Sequence, residues 1–311
     1  MIGIKAISTY LPDGRVDNLE RAHALGSTPD QIQTRIGFET LAIKDSCETT
    51  LGMAQRALTT LLHDQGLAPD AIDVLVVLTQ NPDRPIPHLS AELHGTAKLS
   101  SRCACFDVSL GCSGYVYGLS IVSAFKQANG YTCGVLVTAD PYSGIIAPSD
   151  KNTSLIFGDG ATATLLTDTP TYTLGQFNFG TQGTEADKLA CNDGVLHMNG
   201  RAVFNFAAQH VPTDIRSVLA KNRTDISTVD RFVLHQGSRY IVETIADRLQ
   251  VPREKAPFVA TRYGNTVSSS IPFILSELLD KREFTTLVLS GFGLGFSWAS
   301  TVLKRQPSHQ S

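Results

Sequence analysis

Three residues carry the types and settings that nucleophilic chemistry needs. Cys112 stands in Leu110-Gly111-Cys112-Ser113-Gly114-Tyr115, one glycine after a strand-like run and at the start of a helix-like one. A thiol on such an elbow meets free backbone N–H groups and the positive end of a helix. Both are expected to lower its pKa and to supply thiolate near neutral pH. Gly111 and Gly114 allow a tight turn and the close approach of a substrate. His235 ends the run Phe232-Val233-Leu234-His235-Gln236-Gly237. A polar residue just past an apolar strand lies where α/β sites form. As a neutral imidazole it can exchange a hydrogen bond with a substrate carbonyl. Asn265, in Tyr263-Gly264-Asn265-Thr266, can donate its side-chain amide. On position alone each has a structural alternative. These are a buried core thiol, a hydrogen-bonded core histidine and an asparagine that caps a helix or makes a turn.

The elements that must position these residues alternate between strand-like and helix-like, so the fold class is α/β. Asp73-Val74-Leu75-Val76-Val77-Leu78 is nearly all apolar and predicts a strand buried on both faces. Cys105 to Leu110 predicts a second strand, and Ser113 to Ala128 a helix stopped at Gly130. Val135 to Val137 and Ala161 to Leu166 predict two more strands. The second half repeats the order. A strand at Asp230–Leu234, a helix at Arg239–Leu249, a loop through Asn265, a helix at Ser270–Asp280 and a strand at Leu287–Leu289 are expected. A glycine turn over Gly291–Gly295 then leads into a last strand, Ser297–Leu303. Asp230 follows Asp73 by 157 positions, Leu287 follows Val135 by 152, and Asn265 follows Cys112 by 153. Self-similarity at one spacing marks an internal duplication. The halves divide at residues 1–168 and 169–311. Cys112 and Asn265 then occupy related places, and two helix N-termini can meet across the seam to build one site.

Composition narrows the function classes. The chain has 311 residues, 26 Lys+Arg against 29 Asp+Glu, 42% hydrophobic and 18% charged residues. That balance suits a large buried core and excludes a disordered chain. A net charge of −3 without a basic cluster argues against a nucleic-acid partner. No run approaches the roughly 20 apolar residues of a membrane span. Met1-Ile2-Gly3-Ile4-Lys5 does not read as a signal peptide, so a cytoplasmic protein with reduced thiols is expected. Cys-x-x-Cys pairs are absent, and no His/Asp/Glu cluster has metal-ligand spacing, so neither metal nor cofactor is expected. Cys103 and Cys105 are expected to share one strand face as core thiols. Gly291-Phe292-Gly293-Leu294-Gly295 is followed by a strand pattern, not a helix, which argues against dinucleotide binding. Gly158-Asp159-Gly160 lacks the lysine of a phosphate loop.

Taken in order, these segments resemble the thiolase superfamily, and within it the β-ketoacyl-ACP synthase III branch. Thr34-Arg35-Ile36-Gly37-Phe38 resembles the early T-R-x-G-I segment, and Asp107 to Gly114 the nucleophile elbow. Ile156-Phe157-Gly158-Asp159-Gly160-Ala161 matches the F-G-D-G-A turn. Met198 to Phe204 resembles the M-x-G-x-x-V-F stretch. Leu234-His235-Gln236 and Gly264-Asn265-Thr266 match the H-Q and G-N-T motifs, and Gly291 to Trp298 the closing turn. The resemblance covers nearly the whole chain. It implies a layered α/β/α/β/α fold of two duplicated halves and a homodimer.

The resemblance also implies a reaction. Cys112 takes an acyl group from an acyl-CoA or an acyl-ACP. His235 and Asn265 stabilise the enolate as a malonyl thioester, on acyl carrier protein or CoA, loses carbon dioxide. Backbone N–H groups of Cys112 and Leu294 form the oxyanion hole. Arg35, Phe157, Ile86 and Arg201 are the implied substrate-binding residues. The loop with Ile86 is implied to reach the partner's acyl pocket.

Some positions depart from the pattern. Gln31 stands where chain starters that use acyl-CoA carry an adenine-stacking tryptophan, and Lys151 where an arginine covers the other face. Tyr240 stands in place of a carrier-docking arginine. These departures imply a synthase of specialised polyketide or secondary metabolism rather than the fatty-acid initiator. The alternative on the same scaffold is an acyltransferase that moves the acyl group from Cys112 to a small-molecule or carrier acceptor. A third reading is an idle subunit, against which the intact Cys112, His235 and Asn265 stand.

Overall fold

The computed structural model describes residues 2–307. In the first half the strands are β1 (Gly3–Tyr10), β2 (Gly14–Asp17), β3 (Thr40–Ile43), β4 (Val74–Leu78), β5 (Ala104–Val108), β6 (Gly134–Ala139) and β7 (Ala161–Thr167). In the second they are β8 (Tyr172–Thr181), β9 (Leu189–Asn192), β10 (Val195–Met198), β11 (Arg231–Leu234), β12 (Thr286–Gly293) and β13 (Ser297–Arg305). Nine strands form one sheet in the order β11-β12-β13-β8-β1-β7-β6-β4-β5.

The duplication is visible in the pairing. β4 runs parallel to β6, which pairs antiparallel with β7, which pairs antiparallel with β1. β11, β12, β13 and β8 repeat that series. The two series join where Gly3 and Ile4 of β1 meet Thr173 and Tyr172 of β8. Side chains repeat as well. Asp73 accepts from the backbone N–H of Thr132 (2.8 Å) and Cys133 (2.9 Å). Asp230 accepts from Thr285 (2.7 Å) and Thr286 (2.8 Å) in the same way. Each carboxylate ties the start of its strand to the start of the next parallel one.

Five layers result. The Thr50–Asp64 and Leu89–Thr96 helices cover the outer face of the first series. The Gly114–Asn129 and Ser270–Leu278 helices lie between the two series. The Gly200–Lys221 and Arg239–Leu249 helices cover the outer face of the second. Strand alternation explains the layering. Val74, Val76 and Leu78 of β4 pack into the central layer with Leu119, Ile274 and Leu289, whereas Leu75 and Val77 pack outward with Met53 and Leu61. Each fully buried Val or Leu contributes about 1.5–3 kcal/mol, so an unbroken apolar strand fixes the two-sided covering that its sequence predicts.

Two expectations need correction. Cys103 is buried just before β5, but Cys105 is only partly buried. β5 is the last strand of the sheet, with no neighbour beyond it among the described residues, so it lacks full cover. The glycine turn is also shorter than expected, because β12 continues through Gly293. Gly291 and Gly293 serve close packing rather than a turn, as the site makes clear.

Candidate active site

The two central-layer helices bring Cys112 and Asn265 to one cavity. Cys112 follows β5 through a tight turn, closed by the Gly114 N–H on the Gly111 carbonyl at 2.8 Å. Ser113 then leads into the helix, its hydroxyl 2.6 Å from that of Ser297. The end of β12 lies against this turn. A Cβ on Gly293 would sit 2.8 Å from Cys112 Cβ and 3.0 Å from its Sγ, and one on Gly291 would sit 2.8 Å from the Cys112 carbonyl oxygen. Only glycine allows that approach.

Asn265 is pinned on both sides of its peptide. Its N–H donates to the Ile156 carbonyl at 2.9 Å, and its carbonyl accepts from the Gly158 N–H at 3.0 Å. The Phe157-Gly158-Asp159 turn therefore places Asn265 rather than binding phosphate. Asn265 Oδ1 accepts from the Val267 N–H at 2.9 Å, which aims Nδ2 the other way, to 3.4 Å from His235 Nε2. Val267 reaches this position with φ +53°, a costly conformation for a β-branched residue, found most often at functional sites.

His235 follows β11, its N–H donating to the Ser290 carbonyl at 2.9 Å. Its Nδ1 lies 2.7 Å from Ser270 Oγ, which also accepts the Gln236 N–H at 3.3 Å. With the serine proton given to Nδ1, the neutral imidazole carries its own proton on Nε2. In that tautomer both Nε2–H and the Asn265 amide present donors to the same cavity. Ser270 was not singled out from sequence, where it is one of three consecutive serines.

The electrostatics depart from the sequence expectation. The thiol of Cys112 is pushed up to about 12, not down. Burial is the main cause, and the buried carboxylate of Asp140 adds to it. The N–H groups of Leu294 and of Cys112 itself, directed at the sulfur, offset this only in part. At Cys112 the loss of nearly all its water outweighs what those N–H groups supply. Burial alone takes His235 down to about 3, so its ring is neutral at physiological pH. Asp140 is also fully buried and is pushed up to about 6 by burial, against hydrogen bonds from Ser268 and the Gln80 N–H.

A cavity of about 250 Å³ joins Cys112, His235 and Asn265 to the surface. Its walls are mostly apolar, with Phe157, Leu189, Met198, Val203, Phe204 and Phe292 prominent, and Arg35 and Tyr240 stand at it too. Leu189 and Met198 come from the β9–β10 hairpin, which sequence reading missed. Its signal was Asp193-Gly194, both at positive φ, the pattern of a two-residue type I′ turn. Of the other sequence candidates, Phe157 lines the cavity and Arg35 lines both it and a wider polar recess outside. Arg201 lines only that recess. Ile86 is 84% exposed, lies between β4 and the Leu89–Thr96 helix, and lines neither. Leu294 is partly buried beside the site.

A duplicated five-layer α/β fold with a thiol at the head of one central helix and an amide at the head of the other has the architecture of thiolase-fold condensing enzymes. Sequence comparison agrees. The 3-oxoacyl-[acyl-carrier-protein (ACP)] synthase III signature matches residues 106–183, and its C-terminal signature residues 219–305. The chain is 32% identical to a β-ketoacyl-[acyl-carrier-protein] synthase III of Geobacillus kaustophilus, over 97% of this chain and 98% of that one. Its structure resembles 3-oxoacyl-[acyl-carrier-protein] synthase III from Aquifex aeolicus VF5 (TM-score 0.92, 26% identity, 98% and 100% of the two chains). It also resembles the priming β-ketosynthase of the R1128 polyketide biosynthetic pathway (TM-score 0.88, 27% identity, 99% and 97%). The chain belongs to the β-ketoacyl-ACP synthase III family and is an acyltransferase of the ketosynthase type. Among the described residues no helix is long and apolar enough to cross a membrane.

Proposed function

We propose that this protein loads an acyl group on Cys112 and condenses it with a malonyl thioester, with loss of carbon dioxide. The observation that carries the proposal is the pair of donors, His235 Nε2–H and Asn265 Nδ2–H, whose nitrogens lie 3.4 Å apart in the cavity that holds Cys112. In the first half-reaction the sulfur attacks the donor carbonyl, the thiol proton leaves with the carrier thiolate, and an acyl-thioester forms. The N–H groups directed at the sulfur, from Leu294 and Cys112, then hold the carbonyl oxygen. In the second, a malonyl thioester enters with its carbonyl oxygen between His235 and Asn265. Two neutral donors in an apolar cavity stabilise the enolate oxygen as the carboxylate leaves as carbon dioxide. The carbanion attacks the acyl carbonyl, the bond to the Cys112 sulfur breaks, and the thiolate that leaves takes a proton from water to restore the resting thiol.

The resting thiol is protonated, so activation waits for the substrate. Bound acyl donor brings a carbonyl into reach of the N–H groups, and the developing charge is held there rather than on a free thiolate.

Acyl carrier protein is the partner this reading requires for the malonyl group, and a CoA thioester or a carrier the donor of the acyl group. Gln31 is exposed and its amide oxygen accepts from the Ser27 hydroxyl, while Lys151 is also exposed. Neither side chain offers an aromatic face for adenine. This supports a carrier-borne acyl donor and a role in specialised polyketide metabolism. A homodimer follows from the same reading. The unpaired edge of β5 and the exposed Ile86 lie on neighbouring elements, and an edge strand is covered when two sheets join.

The test is intact mass after mixing with acyl-CoA and acyl-ACP donors, beside Cys112→Ala, followed by carbon dioxide release from malonyl-ACP. An adduct lost in the variant, with carbon dioxide released only by loaded protein, is expected. Transfer to an acceptor without carbon dioxide would make the protein a plain acyltransferase.

A further inference from the structure

We infer that Asp140 is a positioning residue for the decarboxylation step, and that it acts through Ser268 on the turn that aims the Asn265 amide. The inference rests on the ketosynthase reading above, which makes no use of this carboxyl. Asp140 directly follows β6 and is fully buried. Its charge opposes thiolate at Cys112, so acylation gains nothing from it. A carboxylate buried at that cost has to act elsewhere.

Three donors converge on it. The Gln80 N–H donates to Oδ1 at 2.7 Å, and the Ser268 hydroxyl donates to Oδ2. The Ser268 N–H is directed at the carboxylate too. Gln80 is fixed in turn, since its Oε1 accepts from the Tyr142 hydroxyl at 2.7 Å. Asp140 thus ties the segment after β4, in the first half, to the Asn265 loop of the second.

That loop needs to be held. Val267 keeps its φ of +53°, and its N–H donates to Asn265 Oδ1 at 2.9 Å. This bond turns Nδ2 toward His235. Such a backbone persists only where its surroundings enforce it. The three serines that follow are each tied to a different partner. Ser269 Oγ lies 2.7 Å from Thr138 Oγ1 and donates to the Gly160 carbonyl at 3.2 Å, while Ser270 meets His235. Ser268 adjoins Val267, so its tie to Asp140 bears most directly on the strained residue. A carboxylate suits that place because, when ionised, it accepts and never donates. Asparagine at 140 would bring its own N–H into a ring of donors, and one tie would be lost.

The experiment times the two half-reactions separately in Ser268→Ala, Ser268→Thr, Asp140→Asn and the unaltered protein. It is run at about pH 8, where Asp140, held at about 6, is ionised. Acylation is followed by intact mass with the donor that loads the unaltered protein fastest, and carbon dioxide release from malonyl-ACP on protein already loaded. Ser268→Ala and Asp140→Asn are expected to release carbon dioxide about 10- to 100-fold more slowly, as small misplacements of a working group do. Their acylation is expected to stay within about threefold of the unaltered rate. Ser268→Thr, which keeps the hydroxyl, is expected to recover part of the release. In an Asn265→Ala background, Ser268→Ala is expected to cost nothing further, because the group it positions is gone. Unaltered release in folded Ser268→Ala and Asp140→Asn overturns the inference and leaves the ketosynthase reading standing. Equal losses in both half-reactions, or a full further loss in the Asn265→Ala background, overturn it as well, since the ties then serve packing alone. Should Asp140→Asn not fold, Ser268→Ala decides by itself. No adduct from any donor, or no carbon dioxide from loaded unaltered protein, defeats the ketosynthase reading and the inference with it.

Discussion

Ser270→Ala tests whether the imidazole works as a fixed donor. The Ser270 hydroxyl meets His235 Nδ1 at 2.7 Å in a site where His235 is 2% exposed. Removing it leaves a buried ring nitrogen without its partner, which costs about 1–3 kcal/mol. The loss falls on the tautomer that carries a proton on Nε2. In the proposed reaction that proton serves only where the enolate forms, so the penalty belongs to decarboxylation. At 1.36 kcal/mol per decade it corresponds to about 5- to 150-fold in rate. Carbon dioxide release from malonyl-ACP is followed beside the rate at which Cys112 is acylated, in Ser270→Ala, Ser270→Thr and the unaltered protein. Decarboxylation is expected to fall in that range in the alanine variant while acylation changes little. Threonine, which keeps the hydroxyl, is expected to recover part of the rate. Equal losses in both half-reactions would show that Ser270 supports the packing of the site and does not orient the ring.

Two more outcomes follow from the geometry. Gly293→Ala places a methyl 2.8 Å from Cys112 Cβ, and an overpacked contact of this kind costs about 1–3 kcal/mol. Acylation of Cys112 is expected to slow by about tenfold or more, with the far-ultraviolet circular dichroism unchanged, and a normal acylation rate would count against the assigned position of the sulfur. The pH dependence comes from Asp140 and His235. Asp140 is held at about 6 against 3.8, so it binds a proton in the folded state that the unfolded chain has lost, and its contribution fades as pH rises from about 4 to about 6. His235, held at about 3 against 6.5, acts oppositely and loses stability as pH falls through that range. The two slopes oppose each other between about pH 4 and 6. Asp140→Asn removes one of them, so its stability relative to the unaltered protein should rise with pH across that window by up to about 1.4 kcal/mol per unit, read from urea unfolding, and stay level above it. A pH-independent difference would refute a carboxyl that burial holds protonated against those hydrogen bonds.

Much of the fold was legible because its strands are buried on both faces. Val74 to Leu78 and Phe232 to Leu234 need cover on two sides, and the recurrence near 155 residues supplied it twice. Cys112, His235 and Asn265 were legible because each marks a junction of strand or loop with helix. What was not legible lies between elements. Gly291 and Gly293 looked like a turn, since no local pattern reveals that the backbone and side chain of Cys112 press on them from about 180 positions away in sequence. Cys105 looked like a core thiol, since alternation does not say which strand ends a sheet. Ser270 and Tyr142 are ordinary residues for their elements, and only the fold brings their hydroxyls to His235 and Gln80.

The error over the Cys112 thiol has the most to say about mechanism. Reasoning from the helix end considered what attracts charge and left out what burial removes. At 6% exposure the sulfur loses nearly all its water, and beside it stands Asp140, whose charge opposes thiolate. His235 meets the same fate with the opposite sign and stays uncharged. The site therefore holds no standing ion pair of thiolate and imidazolium. In the proposed reaction its working groups are neutral donors aimed at places where oxygen gains charge: Leu294 and Cys112 N–H on one side, Nε2–H and Nδ2–H on the other. Such donors act on the transition state rather than on the resting enzyme. An idle thiol that stays protonated is also less exposed to oxidation, which proceeds from the thiolate. If the resting thiol did ionise near neutral pH, iodoacetamide would modify Cys112 with a midpoint near 7. With the protonated thiol described here, its alkylation rate should keep rising with pH to beyond 9.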